Sequence, residues 1–273
     1  MIMVKKYYKI IWIFVGALII FLLLCLINSI KEPNTNKHKI WATTFGGGGQ
    51  RYHNAANRLK TELSQINIFD NIIAYTDEYL KNDSDFWNKH NNFIKNNSRG
   101  YGYWIWKPYI IMKTLDQLND DDMLVYLDAG CEIVNNSDSY DKMNKLISDT
   151  SNITYTSTGH DEKTYTKMDL LKYMKVDKNM DILNSIMHQA GVIIIKKNKH
   201  TTEFMNEWYN IMCNYHLIDD SPSILKNDES FIEHRHDQSI FSLLIKTKYI
   251  DFNKTNNVMH DVYPILISRK LNE

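Results

Sequence analysis

The sequence predicts an α/β fold, a mixed sheet flanked by helices, preceded by one N-terminal transmembrane helix. Three observations carry this. Met123-Leu-Val-Tyr-Leu127 is a short apolar run between the acidic turn Asn119–Asp122 and Asp128, as expected of a central strand covered on both faces. Further apolar runs alternate with amphipathic stretches along residues 39–273, which fit one α/β domain. Ile10 to Ile27 is an uninterrupted apolar run of 18 residues.

That run follows Lys5, Lys6 and Lys9. A membrane-crossing helix needs ~20 mostly apolar residues, whereas the core of a cleaved signal peptide has only ~7–15. Cys25 to Ile30 offers no small-residue cleavage site, so the reading is an uncleaved signal-anchor. The expected organisation is a tail (1–9), a span (10–30), a stem (31–38) and a globular body (39–273). Lys31, Lys37 and Lys39 balance the lysines before the span, so charge barely orients it. The simplest topology is type II, with the tail in the cytoplasm and the body outside it, in the lumen of the ER or Golgi in a eukaryote. Sequons at Asn82, Asn96, Asn135, Asn152 and Asn253 are acceptors for glycosylation there, although an Asn-rich chain produces such triplets by chance. Cys25, Cys131 and Cys213 make no disulfide framework or zinc pattern. Thirty-two basic residues balance 32 acidic ones, which excludes the concentrated basic field of a nucleic-acid-binding surface.

In chain order, Ile40–Phe45 reads as a first strand, closed by Gly46–Gly49. Such a run can let a nucleotide approach the backbone, but it lacks the phosphate-loop and dinucleotide spacings, and a flexible turn explains it equally. A helix over Tyr52–Gln65 presents Leu59, Leu63 and Ile66 on one side. A strand over 68–75 and a helix over 86–95 follow. Arg99 to Tyr109 (Arg-Gly-Tyr-Gly-Tyr-Trp-Ile-Trp-Lys-Pro-Tyr) is either an aromatic core corner or a pocket wall with Arg99 or Lys107 directed at an anion. Pro108 would open a helix reaching Leu118.

Asp128, at the carboxyl end of its strand, stands where ligands bind in open α/β sheets. A lone Asp there is more often a turn former or helix cap. Beyond it, a helix (140–148), a strand (153–157), a helix (164–174), a buried strand (188–195) and a helix (202–216) are expected. Glu233-His-Arg-His-Asp-Gln-Ser239 opens an amphipathic helix; as a His-x-His-Asp group it could hold a metal, and as a helix start it is simply solvated. A strand over 249–252 closes the pattern.

Together these pieces resemble GT-A glycosyltransferases of the glycogenin and lipopolysaccharide galactosyltransferase group. They are closer still to glycosyltransferase-like proteins carrying Gly-Tyr-Gly-Tyr-Trp-x-Trp-Lys-Pro. Tyr126-Leu-Asp-Ala-Gly130 matches an Asp-x-Asp motif through its first Asp. Gln189-Ala190-Gly191-Val192 is similar to a strand facing the donor sugar, and Asp237-Gln238 to a pair near the anomeric carbon. The resemblance implies a GT-A (Rossmann-like) fold and transfer of a sugar, with retention of configuration, from a nucleotide sugar (UDP favoured) to a glycan, lipid or protein. It implies a divalent metal, manganese before magnesium, on Asp128 and His260. Asp237 and Gln238 would be catalytic; Arg99, Trp104, Lys107, Gln189, Ala190 and Gly191 would bind substrate. Gly130 replaces the second Asp, which leaves two other readings open: a degenerate domain acting as a membrane-tethered binding protein, and a metal-dependent hydrolase on His234, His236, Asp237 and Asp128.

Overall fold

The computed structural model describes residues 18–20, 38–249, 257–258 and 262–271. The chain divides into two units, Met1–His38 and Lys39–Glu273. In the first, residues 18–20 are helical and exposed. The rest of the expected span lies outside the described residues, and among the described residues no helix is long and apolar enough to cross a membrane.

The second unit is built on a six-stranded mixed sheet. Its strands are β1 (Ile40–Gly46), β2 (Asn71–Thr76), β3 (Met123–Leu127), β5 (Ile153–Asp161), β6 (Ile186–Lys196) and β7 (Asn257–Val258), in the order β2-β1-β3-β6-β5-β7. β1 pairs in parallel with β2 and β3, whereas β6 runs antiparallel to β3 and β5. A separate two-stranded ladder joins β4 (Glu132–Ile133) to β8 (Ile265–Leu266).

Helices cover both faces, which is why β3 is apolar throughout. Leu124 and Tyr126 belong to one hydrophobic cluster, with side chains of α3 (Ser84–Asn96), α4 (Trp106–Leu115), α9 (Lys199–Met212) and α10 (His236–Thr247). Met123, Val125 and Leu127 belong to the opposite one, with α1 (Gln50–Ile66) and α5 (Ser139–Ser148). The alternation follows the two-residue period of a strand. α9 starts at a capping box in which Asn198 and Thr201 exchange side-chain and backbone hydrogen bonds. Short helices α2 (Asp77–Asn82), α6 (Glu162–Tyr165), α7 (Met168–Tyr173) and α8 (Met180–Leu183) fill the connections.

Several expected elements shift, for local reasons. β2 begins at Asn71 rather than residue 68, because Asp70 turns the chain by accepting the Ile40 N–H on its carboxylate at 2.7 Å. The helix expected over 164–174 is two helices, α6 and α7. Between them Lys167 is drawn inward, its Nζ donating to the His216 carbonyl at 2.7 Å and to Asp219 Oδ1 at 3.1 Å. α4 begins two residues before Pro108, which sits in the first turn where no donor is required. Of the strand expected over 249–252, Tyr249 is not in a strand and the remainder lies outside the described residues.

Candidate active site

β1 and β3 end side by side, and the first residues of α4 and α10 and the middle of β6 reach the same edge. The cleft there has a volume of about 760 Å³. Asp128, the residue after β3, is tied to β6 by its N–H donating to the Gly191 carbonyl at 2.8 Å. Gly191 is needed at this point: a Cβ on it would stand 2.9 Å from Asp128 Oδ2.

Lys107 organises the floor of the cleft. Its side chain is 3% exposed, and its ammonium lies 2.7 Å from Asp237 Oδ2, 3.1 Å from Asp128 Oδ1 and 3.1 Å from the Ala190 carbonyl. Burial lowers its pKa, but Asp128 and Asp237 outweigh that and hold it above the ordinary value. Burial pushes Asp237 up to about 6 in spite of Lys107. These shifts favour the charged form of one partner and disfavour that of the other. The contact distances resolve the conflict, since one ammonium is shared by two carboxylates and compensates neither fully. Asp237 Oδ2 in addition receives no well-directed hydrogen bond among the described residues. Tyr126, fully buried, donates its hydroxyl to Asp128 Oδ1 at 2.6 Å. Behind the clasp, Trp208 is also fully buried and donates its indole N–H to the Asp237 carbonyl at 3.0 Å.

The aromatic wall is built from an unusual backbone. Gly100, Tyr101, Gly102, Tyr103 and Trp104 all have positive φ, between 52° and 84°, in a left-handed turn closed by Trp104 N–H to the Gly100 carbonyl at 3.1 Å. A left-handed conformation costs roughly 1–2 kcal/mol for each non-glycine residue, so Tyr101, Tyr103 and Trp104 store several kcal/mol here. Glycine is required at the other two positions for space as well as conformation. A Cβ on Gly100 would meet the Trp104 ring at 2.4 Å, and one on Gly102 would meet Ile94 at 2.7 Å. Packing compensates the strain: Trp106 stacks on Phe45 at 3.9 Å between centroids, and Trp104 stacks on His236 at 5.4 Å. Phe45, Tyr101 and Trp104 are left lining the cleft.

Of the residues singled out in the sequence, Arg99, Trp104, Lys107, Asp128, Gln189, Gly191, Asp237 and Gln238 line this one cleft. Two of the assigned roles need correction. Ala190 is 1% exposed in the core, and it reaches the site only through its carbonyl. Arg99 is not free for an anion, because Asp220 at 3.0 Å and Glu233 at 3.1 Å hold its guanidinium. Asp237, expected to be catalytic, lines the cleft and holds the Lys107 ammonium at 2.7 Å. Gln189 is oriented by Thr156, whose hydroxyl donates to its Oε1 at 2.7 Å. The Gln238 amide nitrogen lies 3.0 Å from Met187 Sδ.

The His-x-His-Asp group does not converge on a metal. His234 Nε2 bonds the Leu217 carbonyl at 2.9 Å, and His236 Nδ1 bonds the Ile218 carbonyl at 2.7 Å. Burial keeps both imidazoles neutral, His236 lowered to about 4. Of the pair expected to hold a divalent ion, His260 lies outside the described residues. Among the described residues no three His, Cys, Asp or Glu side chains converge. The Lys107 ammonium stands 3.1 Å from Asp128 Oδ1, while the Asp128 side chain remains 40% exposed. Glu132 does not replace the missing Asp, since its carboxylate pairs with Lys270 at 2.6 Å.

Gly130 has a structural cause. A Cβ there would lie 3.0 Å from Arg269 Cα, and the Lys270 N–H donates to its carbonyl at 2.9 Å. The C-terminal segment thus packs tightly against the position of the motif's second carboxylate. Ile267, Arg269 and Leu271 line the cleft, as do Arg51 and Arg235. Sequence reading missed all five. Arg51, two residues after the glycine run, carried a signal; the tail residues carried none. A side pocket of about 140 Å³ adjoins, bounded by Thr158, His160, Tyr165 and Met187 and sharing Gln189, Gln238, Arg235 and Arg269 with the cleft.

No family profile matches the chain, and no curated protein matches it. Among solved structures it is similar to a glycosyltransferase involved in the glycosylation of the major capsid of PBCV-1, at a TM-score of 0.43 and 11% identity over 82% of each chain. Mouse xyloside xylosyltransferase 1 gives 0.41 and 9%, over 82% of this chain and 85% of that one. The galactosyltransferase LgtC, with donor and acceptor analogues, gives 0.36 and 11%, over 75% and 70%.

Proposed function

We propose that the chain is a glycosyltransferase of the GT-A type, transferring a sugar from a nucleotide sugar, UDP-linked by preference, to a glycan, lipid or protein. The observation that carries this is the Lys107 clasp. Segments around residues 107, 128, 190 and 237, far apart in sequence, are tied together at the carboxyl edge of β1 and β3 by one buried ammonium. A buried charge network is a costly way to stabilise a fold, and its position in this cleft supports a functional role.

Each part of the cleft has a task in this reaction. Phe45, Tyr101 and Trp104 offer flat apolar faces for a nucleoside base. Asp128, its side chain 40% exposed, presents a fixed acceptor to sugar hydroxyls. Gln189 and Gln238 line both the cleft and the side pocket, where the acceptor would enter. In the transfer, the acceptor oxygen bonds to the anomeric carbon as the sugar–phosphate bond breaks. The electron pair leaves with the diphosphate, whose freed oxygen takes up the acceptor's hydroxyl proton. Positive charge fixed beside the leaving group stabilises it as its negative charge grows. The Ile10–Ile27 run would anchor the enzyme as a type II membrane protein, a reading that rests on the sequence.

The test is nucleoside diphosphate release by the full-length chain from a panel of nucleotide sugars, with manganese and in chelator. Release from one donor, lost in Asp128→Asn, supports the reading. No release together with no nucleotide binding sinks it in favour of a non-catalytic domain, the alternative that Gly130 favours.

A further inference from the structure

Resting on that reading, we propose that the donor diphosphate is held by Arg51 and Arg269, with the C-terminal segment Ile267–Leu271 standing where a second metal-binding carboxylate would be. The cleft has five cationic side chains, and their partners separate them. Lys107 is clasped by two carboxylates, Arg99 by Asp220 and Glu233, and Arg235 by Glu233 at 2.7 Å. Arg51 and Arg269 have no ion pair among the described residues. Arg51 is steadied by its own neighbour, stacking at 4.7 Å on the Tyr52 ring and donating to the Tyr52 hydroxyl at 2.9 Å. Both are exposed and both line the cleft.

Their placement is built. Arg58 lies two turns along α1 from Arg51, on the same face of the helix. It donates to the Ala129 carbonyl at 2.9 Å, the Cys131 carbonyl at 3.0 Å and the Lys270 carbonyl at 3.3 Å. One helix therefore carries Arg51 and also fastens the tail that carries Arg269. The Lys270 N–H on the Gly130 carbonyl fastens it a second time. The charges match: two guanidiniums with no ion pair among the described residues would balance the two negative charges of a diphosphate diester, which suits arginine. The Lys107 clasp, with two carboxylates to one ammonium, is net negative and suits sugar hydroxyls instead.

Calorimetric titration of the full-length chain with inorganic pyrophosphate and with uridine diphosphate, both in chelator, tests this. Arg51→Ala and Arg269→Ala should each weaken both ligands on the order of tenfold, as charge-assisted bonds to phosphate are worth. Arg269→Lys should recover part of the loss, and Lys145→Ala, away from the cleft, should change nothing. Unaltered affinity in both alanine variants would overturn the proposal. So would binding that appears only with manganese, which would leave the transferase reading standing. Arginine-dependent pyrophosphate binding without turnover of any nucleotide sugar would do the reverse, keeping the anion site and removing the transferase.

Discussion

Replacing Lys107 by methionine should be costly, and the cost should depend on pH. The substitution keeps most of the side-chain volume, so its effect is electrostatic. Removing one partner of a buried ion pair typically costs ~3–5 kcal/mol. Asp128 is 40% exposed and can rehydrate, so the cost falls mainly on Asp237, which is 4% exposed. The low end, about 3 kcal/mol at pH 7.5, is expected. For a body of this size that corresponds to a fall in Tm of roughly 6–12 °C. Asp237 already has its carboxyl raised to about 6 by burial, and without Lys107 it rises further. A raised carboxyl binds a proton in the folded state that the unfolded chain gives up. Its contribution to stability is therefore complete below the unfolded value near 4 and is lost as pH climbs through the folded value. The deficit of Lys107→Met should be large at pH 7.5 and should shrink at pH 5. Urea denaturation at the two pH values measures it directly. A deficit below about 1 kcal/mol, or one equal at both, would refute the clasp as what offsets Asp237's burial cost.

Other substitutions read the same geometry. Gly191→Ala has an acceptable backbone but brings a Cβ to 2.9 Å from Asp128 Oδ2, so donor turnover should drop at least about tenfold while the unfolding midpoint stays close to that of the wild type. Asp128→Asn should abolish turnover and cost ~1–2 kcal/mol, because Lys107 and the Tyr126 hydroxyl lose a charged partner; calorimetry that shows no loss would mean the pair contributes nothing. Gly130→Asp should push the tail off the cleft, seen as faster hydrogen exchange over residues 267–271, rather than create a metal site; a gain of manganese-dependent nucleotide binding would contradict that.

Much of the fold was legible because it rests on periodicity. β3 is buried on both faces and reads as a plain apolar run, and α9 carries its 3.6-residue stripe in the sequence, although its cap at Asn198 starts it at Lys199 rather than residue 202. The site residues were legible as types. Asp128, Lys107, Gln189 and the Asp237-Gln238 pair line one cleft, which is as far as the structure takes those short motifs. Their partners were not, because long-range pairing leaves no local mark. Nothing in the sequence ties Lys107 to Asp237, or Arg99 to Asp220, over more than a hundred residues. The left-handed turn at Gly100–Trp104 was hidden too, since two glycines among aromatics fit a core corner equally well. Gly130 read as a lost carboxylate. Only the packing of Arg269 against it shows that the position is occupied by the chain's own backbone.

The most direct test is a crystal structure of the full-length chain with uridine diphosphate. The phosphates should lie between Arg51 and Arg269, the base against the Phe45–Tyr101–Trp104 wall, and Asp128 should remain open toward the vacated sugar position. A nucleotide bound elsewhere, or phosphates held at Asp128 through a metal with both arginines turned away, would contradict the account.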